Sequence, residues 1–398
     1  MKVTVIYTGS YPRGEVTTHR VHNICKGLVE HGADVEILLT RQTQKNGSAR
    51  NLDASGTFEG VKYRHVRNKH IRSSHFMKRR WDDFVSSLMT VLHVLLNKVK
   101  NDVVLVIGPS FDFRLFLPIA CKFTKSKMVL EINEYPFVTR GNTRWTKFKR
   151  GVLFKVIFPM YDGFIVISEE LSKIAGEYRS AKATIIKIPI LSNPVVVENV
   201  QPSSISGPYI IHAGSLSEEK DGMNGLLEAF SCARKEMTED VQLVITGNAK
   251  RAREFAAVKE TISRLGIKDV VVFTGFLEND DLHRYFANAS VAIINKLDTI
   301  QNRYCFPTKL ADYCSYGIPV ITTTVGESKC YLEDQINAYI VAPGCPKLLA
   351  DRVVQAFACQ DERMAISKAS KILCENSFSA TVQGRRLIDA LEEKLCAF

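Results

Sequence analysis

Short β-branched runs, each closed by a turn and followed by a helical stretch, recur from one end of this chain to the other. Residues 3–8, 35–40, 103–107, 128–132, 163–167 and 184–188 read as strands. Between the first two, Val21, Ile24, Cys25, Leu28 and Val29 mark one face of a helix that stops near Gly32. Such alternation specifies parallel sheets, because parallel neighbours need a crossover segment between them. A polar, proline-containing stretch at 192–207 breaks the pattern, which then restarts. Strands follow at 209–212, 241–246, 270–274, 291–294 and 320–324, with helices from Met223 to about Lys235 and from near Pro346. Val382, Leu387, Leu391 and Leu395 suit a closing helix. The expectation is α/β: two doubly wound domains facing a cleft, at 1–195 and 208–377, joined by a linker at 196–207 and closed by 378–398. A length of 398 residues, too great for one ordinary core, agrees.

Composition excludes several classes. Hydrophobic content of 45% and charged content of 24% are those of a soluble globular protein. The ten cysteines are scattered without a CxxC pair, so reduced thiols in a cytoplasmic protein are expected, and no zinc site. The opening MKVTVIYTGSYP reads as a first strand and not a signal peptide, and VLHVLL at 91–96 is too short to span a membrane.

The net charge of +11 is concentrated in two runs. Residues 62–80 carry eight Lys/Arg and no acid, ending in Lys78, Arg79 and Arg80; residues 140–155 carry six more. Each run is a candidate solvated helix face. In the second, Trp145, Phe148, Val152, Val156 and Met160 recur at helical spacing, with Arg144, Lys147 and Lys155 off that line. Basic amphipathic surfaces attract anionic headgroups by about 1 kcal/mol per cation, so an anionic membrane surface is an expected partner. Nucleic acid is not, since no recognisable nucleic-acid module is present.

Two segments carry the chemistry. In YCFPTKLADYCSYGIPVITTT (304–324), a Pro-Thr-Lys corner opens an apolar helix, and Asp312 lies one turn further in. Its first amides and helix dipole suit a phosphate, at a sheet edge where open α/β folds bind nucleotides. In GSLSEEKDG, a flexible turn leaves a strand and delivers Lys220, whose ammonium can neutralise diphosphate oxygens.

These segments resemble the retaining GT-B glycosyltransferases, specifically the family 4 group that uses nucleotide-sugar donors. YPRGEVTTHRVHNICKGLVEHGADVEIL looks like the N-terminal glycine loop and first helix, and DGFIVISEELSKIAGEY like the end of the N-terminal domain. IIHAGSLSEEKDGMNGLLEAF, LVITGNA, VFTGFL, FPTKLADYCSYGIPVI and VGESKCYLEDQINAYIVAP follow in the family's order, so the resemblance covers nearly the whole chain.

The resemblance implies two Rossmann-like domains and transfer of a sugar from a nucleoside-diphosphate sugar to an acceptor hydroxyl with retention. No cofactor or metal is implied, the nucleotide sugar being substrate. Lys220 and Lys309 would meet the leaving diphosphate with the amides at Thr308 and Lys309, beside Phe306 and Pro307. Asp312 stands where the second glutamate of the Glu-x7-Glu pair would accept the ribose hydroxyls. Tyr304 occupies the place of the first glutamate, with Asn302 and Arg303 as alternative sugar contacts. Ser215 stands where the family usually carries an arginine. Gly14 would let its loop approach the donor phosphate, and Glu15 or Thr17 would touch the acceptor. Thr246, Gly247 and Phe276 lie where the base binds, or are turn and core residues. Asn133 and Glu134 are candidates near the reacting centre; Glu134 would orient the acceptor hydroxyl or hold the basic segment behind it.

With Arg79, Arg80, Arg144, Lys147 and Lys149 in the acceptor half, the expected acceptor is lipid-linked or anionic. Assembly of a cell-surface polysaccharide would place the enzyme at the inner face of the cytoplasmic membrane. The rivals are a nucleotide-sugar-binding protein with little turnover and a GT-B sugar-nucleotide epimerase.

Overall fold

The computed structural model describes all residues except 15, 48, 97–101, 108–115, 138–142, 199, 215, 248–253 and 397–398. The chain divides into two compact units, Met1–Leu191 with Ala380–Phe398, and Ser192–Ser379.

In the N-terminal unit the order is β1 (Lys2–Tyr7), α1 (Val16–Glu30), β2 (Asp34–Leu39), β3 (Ser55–Phe58), β4 (Val61–His65), α2 (Phe76–Leu96), β5 (Val103–Ile107), α3 (Leu117–Thr124), β6 (Lys127–Ile132), α4 (Arg144–Val152), β7 (Gly163–Val166), α5 (Glu169–Tyr178) and β8 (Thr184–Lys187). One sheet runs β3-β4-β2-β1-β5-β6-β7-β8, parallel except for β3 against β4. Strand β1 pairs with β2 (Val3 opposite Val35) and with β5 (Val3 opposite Val103). The strand order reverses there, the position that binds ligands in doubly wound folds.

In the C-terminal unit come β9 (Tyr209–Ala213), α6 (Glu218–Asp221), α7 (Met223–Arg234), β10 (Gln242–Thr246), α8 (Phe255–Leu265), β11 (Val271–Gly275), α9 (Asn279–Ala287), β12 (Val291–Ile294), α10 (Ile300–Arg303), α11 (Thr308–Tyr316), β13 (Val320–Thr323), β14 (Tyr339–Val341), α12 (Pro346–Ala358) and α13 (Gln360–Leu373). Its sheet is wholly parallel, in the order β11-β10-β9-β12-β13-β14. Numbered within the unit this is 3-2-1-4-5-6, with the switch between β9 and β12. Strands β9 and β12 are buried from end to end, as expected where helices cover both faces.

A closing helix, α14 (Ala380–Leu391), returns to the N-terminal unit. There Leu387, Ile388, Leu391 and Leu395 join the core of Val3, Val21, Ile24 and Leu28, whereas Val382 is exposed. Helices α1 and α14 cross backbone to backbone at two glycines. A Cβ on Gly384 would come within 2.4 Å of the Gly27 carbonyl carbon, and one on Gly27 within 2.3 Å of the Ala380 oxygen. Neither obstacle is a flexible side chain, so the helices would have to separate. Gly384→Ala is expected to destabilise the protein by about 1–3 kcal/mol; an unchanged urea midpoint would contradict this crossing.

Two sequence expectations change. The run at 62–80 is not one helix face: Lys62 and Arg64 lie on β4, paired with Asp34 and Glu36 across β2, and the helix begins only at Phe76. The hairpin preceding it turns on Glu59 and Gly60, both at positive φ (44° and 82°), a two-residue turn matching strand twist. Helix α13 also follows α12 within the C-terminal unit, so the helix near Pro346 is not the last before the closing helix.

The second run does form a helix, capped by the Thr143 hydroxyl accepting from the Thr146 amide. Thr146, Leu153, Phe154 and Ile157 face inward, so Trp145, Phe148 and Val156 point outward with Arg144 and Lys147. Trp145 and Phe148 stack at 5.5 Å, and the Lys149 ammonium lies 5.0 Å from the Trp145 ring. Among the described residues no helix is long and apolar enough to cross a membrane.

Candidate active site

At the C-terminal unit's switch point, the loop leaving β9 and the residues after β12 meet over the carboxyl edge of the sheet. Ser217 caps α6, accepting from the Lys220 amide at 3.3 Å, and Gly222 ends it at φ 55°. The Gly222 carbonyl accepts from Asn295 Nδ2 at 2.8 Å, and a side chain at Gly222 would strike that same amide. Lys296, next after Asn295, ion-pairs with Asp221; the two residues are only 8% and 5% exposed. Buried ions persist only when paired, so this bridge fixes α6 on the sheet. His212, at the end of β9, donates through Nδ1 to the Ile293 carbonyl at 3.2 Å.

Helix α11 is tied to the same edge. The Ala213 amide donates to the Tyr313 hydroxyl at 2.8 Å, across 100 residues. Burial pushes the Tyr313 phenol well above its ordinary range, more than this bond lowers it, so it stays neutral. Asn302 donates from Nδ2 to the Lys220 carbonyl at 3.0 Å and the Leu297 carbonyl at 2.9 Å. Gly326 (φ 74°) packs onto the next residues, where a Cβ would lie 2.5 Å from the Cys305 oxygen. The loops after β9 to β11 are also laced, Gly214 N–H to Thr246 O at 3.2 Å and Gly247 N–H to Gly275 O at 2.9 Å. The result is one rim carrying the Lys220 turn and the amino end of α11.

Residues 207–358 match the family model for Glycosyl transferases group 1. The C-terminal unit carries a glycosyl transferases group 1 domain. No curated protein matches the chain. Among solved structures, sucrose-phosphate synthase from Thermosynechococcus elongatus is similar at 15% identity and TM-score 0.70, covering 98% of each chain. A glycosyltransferase from Rickettsia africae ESF-5 gives 15% and 0.69, covering 100% of this chain and 99% of that one. Anabaena HepE in complex with UDP and glucose gives 14% and 0.68, covering 98% and 99%. The chain therefore has the GT-B fold of two Rossmann-like units.

Within the group 1 domain, the residues expected at the donor fall into three sets. Lys220, Thr308, Lys309 and Asp312 are part-exposed on α6 and α11, and Lys309 Nζ lies 3.2 Å from Asp312 Oδ2. Pro307 sits at the N-cap of α11, so the amides of Thr308 and Lys309 are first-turn donors without intrahelical acceptors. Phe306 and Asn302 are supports. Phe306, 1% exposed, stacks on Tyr331 at 5.2 Å and packs edge-on against Phe378, while Asn302 commits its amide to carbonyls. Arg303, expected as an alternative sugar contact, forms an exposed bidentate pair with Asp298 at 2.7 and 2.9 Å. Tyr304 caps α10 and is half-buried; Phe276 is exposed; Gly247 packs against the Gly214 carbonyl. Ser215 lies outside the described residues.

In the N-terminal unit, Gly14 leaves room for Thr18, whose hydroxyl donates to the Ser10 carbonyl at 2.8 Å. Glu15 lies outside the described residues. Asn133 is half-buried and Glu134 exposed. The buried acid beside that loop is Glu131, near the end of β6, which sequence reasoning missed. Arg20 donates from Nε to Glu131 Oε1 at 2.6 Å and from Nη2 to the Ile188 carbonyl at 3.0 Å. Asp221, Lys296 and Tyr313 were missed too. Polar Asn295-Lys296 directly after an all-apolar strand was the available signal.

Proposed function

We propose that this chain is a retaining glycosyltransferase of family 4 type. It moves a sugar from a nucleoside-diphosphate donor to the hydroxyl of a lipid-linked or anionic acceptor in cell-surface polysaccharide assembly. The observation that carries this reading is the pair of latches, Ala213 to Tyr313 and Asn302 to Lys220, that hold two phosphate-suited groups on one rim. The bond from the anomeric carbon to the diphosphate breaks, and its electron pair leaves on the phosphate oxygen. Lys220, Lys309 and the first-turn amides of α11 face that growing charge, already oriented before reaction. A bond from the acceptor oxygen forms on the same face of the sugar, and the acceptor proton passes to the leaving phosphate. Asp312 accepts the vicinal ribose hydroxyls, a role that fits its part-exposed place one turn into α11. Asn133 and Glu134 are assigned to the acceptor side.

The UDP and glucose bound to Anabaena HepE support a uridine nucleotide sugar as the first donor to test. Arg79, Arg80, Arg144, Lys147 and Lys149 support peripheral attachment at the inner face of the cytoplasmic membrane, the outward Trp145 and Phe148 adding interfacial anchors. A thermal-shift screen over UDP-, GDP-, ADP- and CMP-sugars tests the donor class. One class at 100 times its Kd is expected to stabilise the protein by about 2.7 kcal/mol. A flat response to all four would overturn the proposal.

A further inference from the structure

The N-terminal unit contains a hollow of about 410 Å³ within which four arginines converge: Arg41, Arg72, Arg79 and Arg80. The volume falls inside the span of small-molecule sites, about 300–1,000 Å³. The hollow lies at the carboxyl ends of β1 and β2, whose following residues Thr8 and Arg41 line it, and against the first turns of α2. Ligands of open α/β sheets bind at such ends, and the 21-residue α2 directs its amino-terminal dipole there.

The charges do not balance. Two carboxylates also line the hollow, Asp82 and Asp83. Asp82 is already paired with Arg67, which is not part of the lining, and Asp83 lies 3.8 Å from Arg41. Arg72, Arg79 and Arg80 have no ion-pair partner among the described residues. The guanidinium carbons of Arg79 and Arg80 lie 5.8 and 5.7 Å from the Phe76 ring centroid, so two like charges share one aromatic face region. Like charges held together around a concave surface are relieved by an anion. Planar guanidinium forks match phosphate oxygens two at a time.

We propose that this hollow binds a phosphate or diphosphate group carried by the acceptor. The proposal rests on the N-terminal unit being the acceptor side of a glycosyltransferase, and it names what that acceptor bears. Two sources share this chemistry, a phosphorylated soluble glycan and a phospholipid-type head. The structure favours the second as the arm to expect. Phe76, at the edge of the hollow, adjoins an exposed row on α2 formed by Met77, Trp81, Phe84, Leu88 and Leu92 at spacings of three and four. That row would lie in the interface while the head enters the hollow.

The experiment titrates inorganic phosphate by calorimetry at constant ionic strength, with saturating UDP present, into wild type and the exposed double variant Arg72→Gln/Arg80→Gln. Phosphate affinity is expected to fall at least tenfold in the variant, while UDP binding stays within twofold. Equal phosphate affinity in both proteins, or no phosphate binding to wild type, would overturn the proposal. UDP binding separates this outcome from failure of the transferase reading, since that reading assigns the nucleotide to the other unit. A second arm measures binding to phosphatidylglycerol vesicles. Vesicle binding that falls in the variant and is displaced by phosphate identifies the lipid head as the source. Vesicle binding unaffected by either, with phosphate binding still lost in the variant, identifies the soluble source.

Discussion

Lys296→Met is expected to destabilise the C-terminal unit by about 3–5 kcal/mol, because it leaves the Asp221 carboxylate buried without its cation. Water cannot readily replace the ammonium at a carboxylate so little exposed, and the remaining charge bears most of its desolvation cost. For a unit of this size the melting temperature should fall by roughly 10 °C. The double variant Lys296→Met/Asp221→Leu removes both charges and should recover most of the loss. A single variant costing less than about 1 kcal/mol, the range of exposed pairs, would contradict a structural bridge here. The consequence reaches the chemistry, because Asp221 directly follows Lys220 on α6. Loosening this turn should also weaken donor binding.

Lys220→Ala is expected to lower kcat by about 10²–10³-fold with a much smaller change in donor KM. An ammonium facing the departing diphosphate interacts most strongly as charge accumulates there, so its removal raises the barrier more than it weakens the ground state. The variant should fold normally. Lys220 is half-exposed, has no ion pair among the described residues, and engages α6 through its backbone. Steady-state kinetics with a fixed acceptor checks this, and Lys220→Arg should retain part of the activity. Wild-type turnover in the alanine variant would remove Lys220 from the mechanism.

Much of the fold was legible because parallel strands buried on both faces read as continuous apolar runs. The expected strands at 103–107 and 291–294 match β5 and β12 residue for residue, and most others fall within a residue or two. The β3–β4 hairpin was missed because its charge drew attention away from its alternation: Val61, Tyr63 and His65 are buried while Lys62 points out. Strand β14 is three residues long, too short to carry a period. At the candidate site, sequence could pick out part-exposed polar groups in recognisable turns, such as Lys220 and Asp312. It could not pick out the latches. Whether Asn302 contacts a sugar or a carbonyl depends on a partner more than 80 residues away, and no local pattern encodes that choice. The Ala213–Tyr313 bond hides for the same reason, behind a tyrosine that looks like an ordinary core residue.

A crystal structure of the protein soaked with UDP tests the central claim most directly. The diphosphate is expected within about 3 Å of the Thr308 and Lys309 amides and within reach of Lys220 Nζ, with the ribose hydroxyls on Asp312. Nucleotide density elsewhere, with the amino end of α11 bare, would contradict the account.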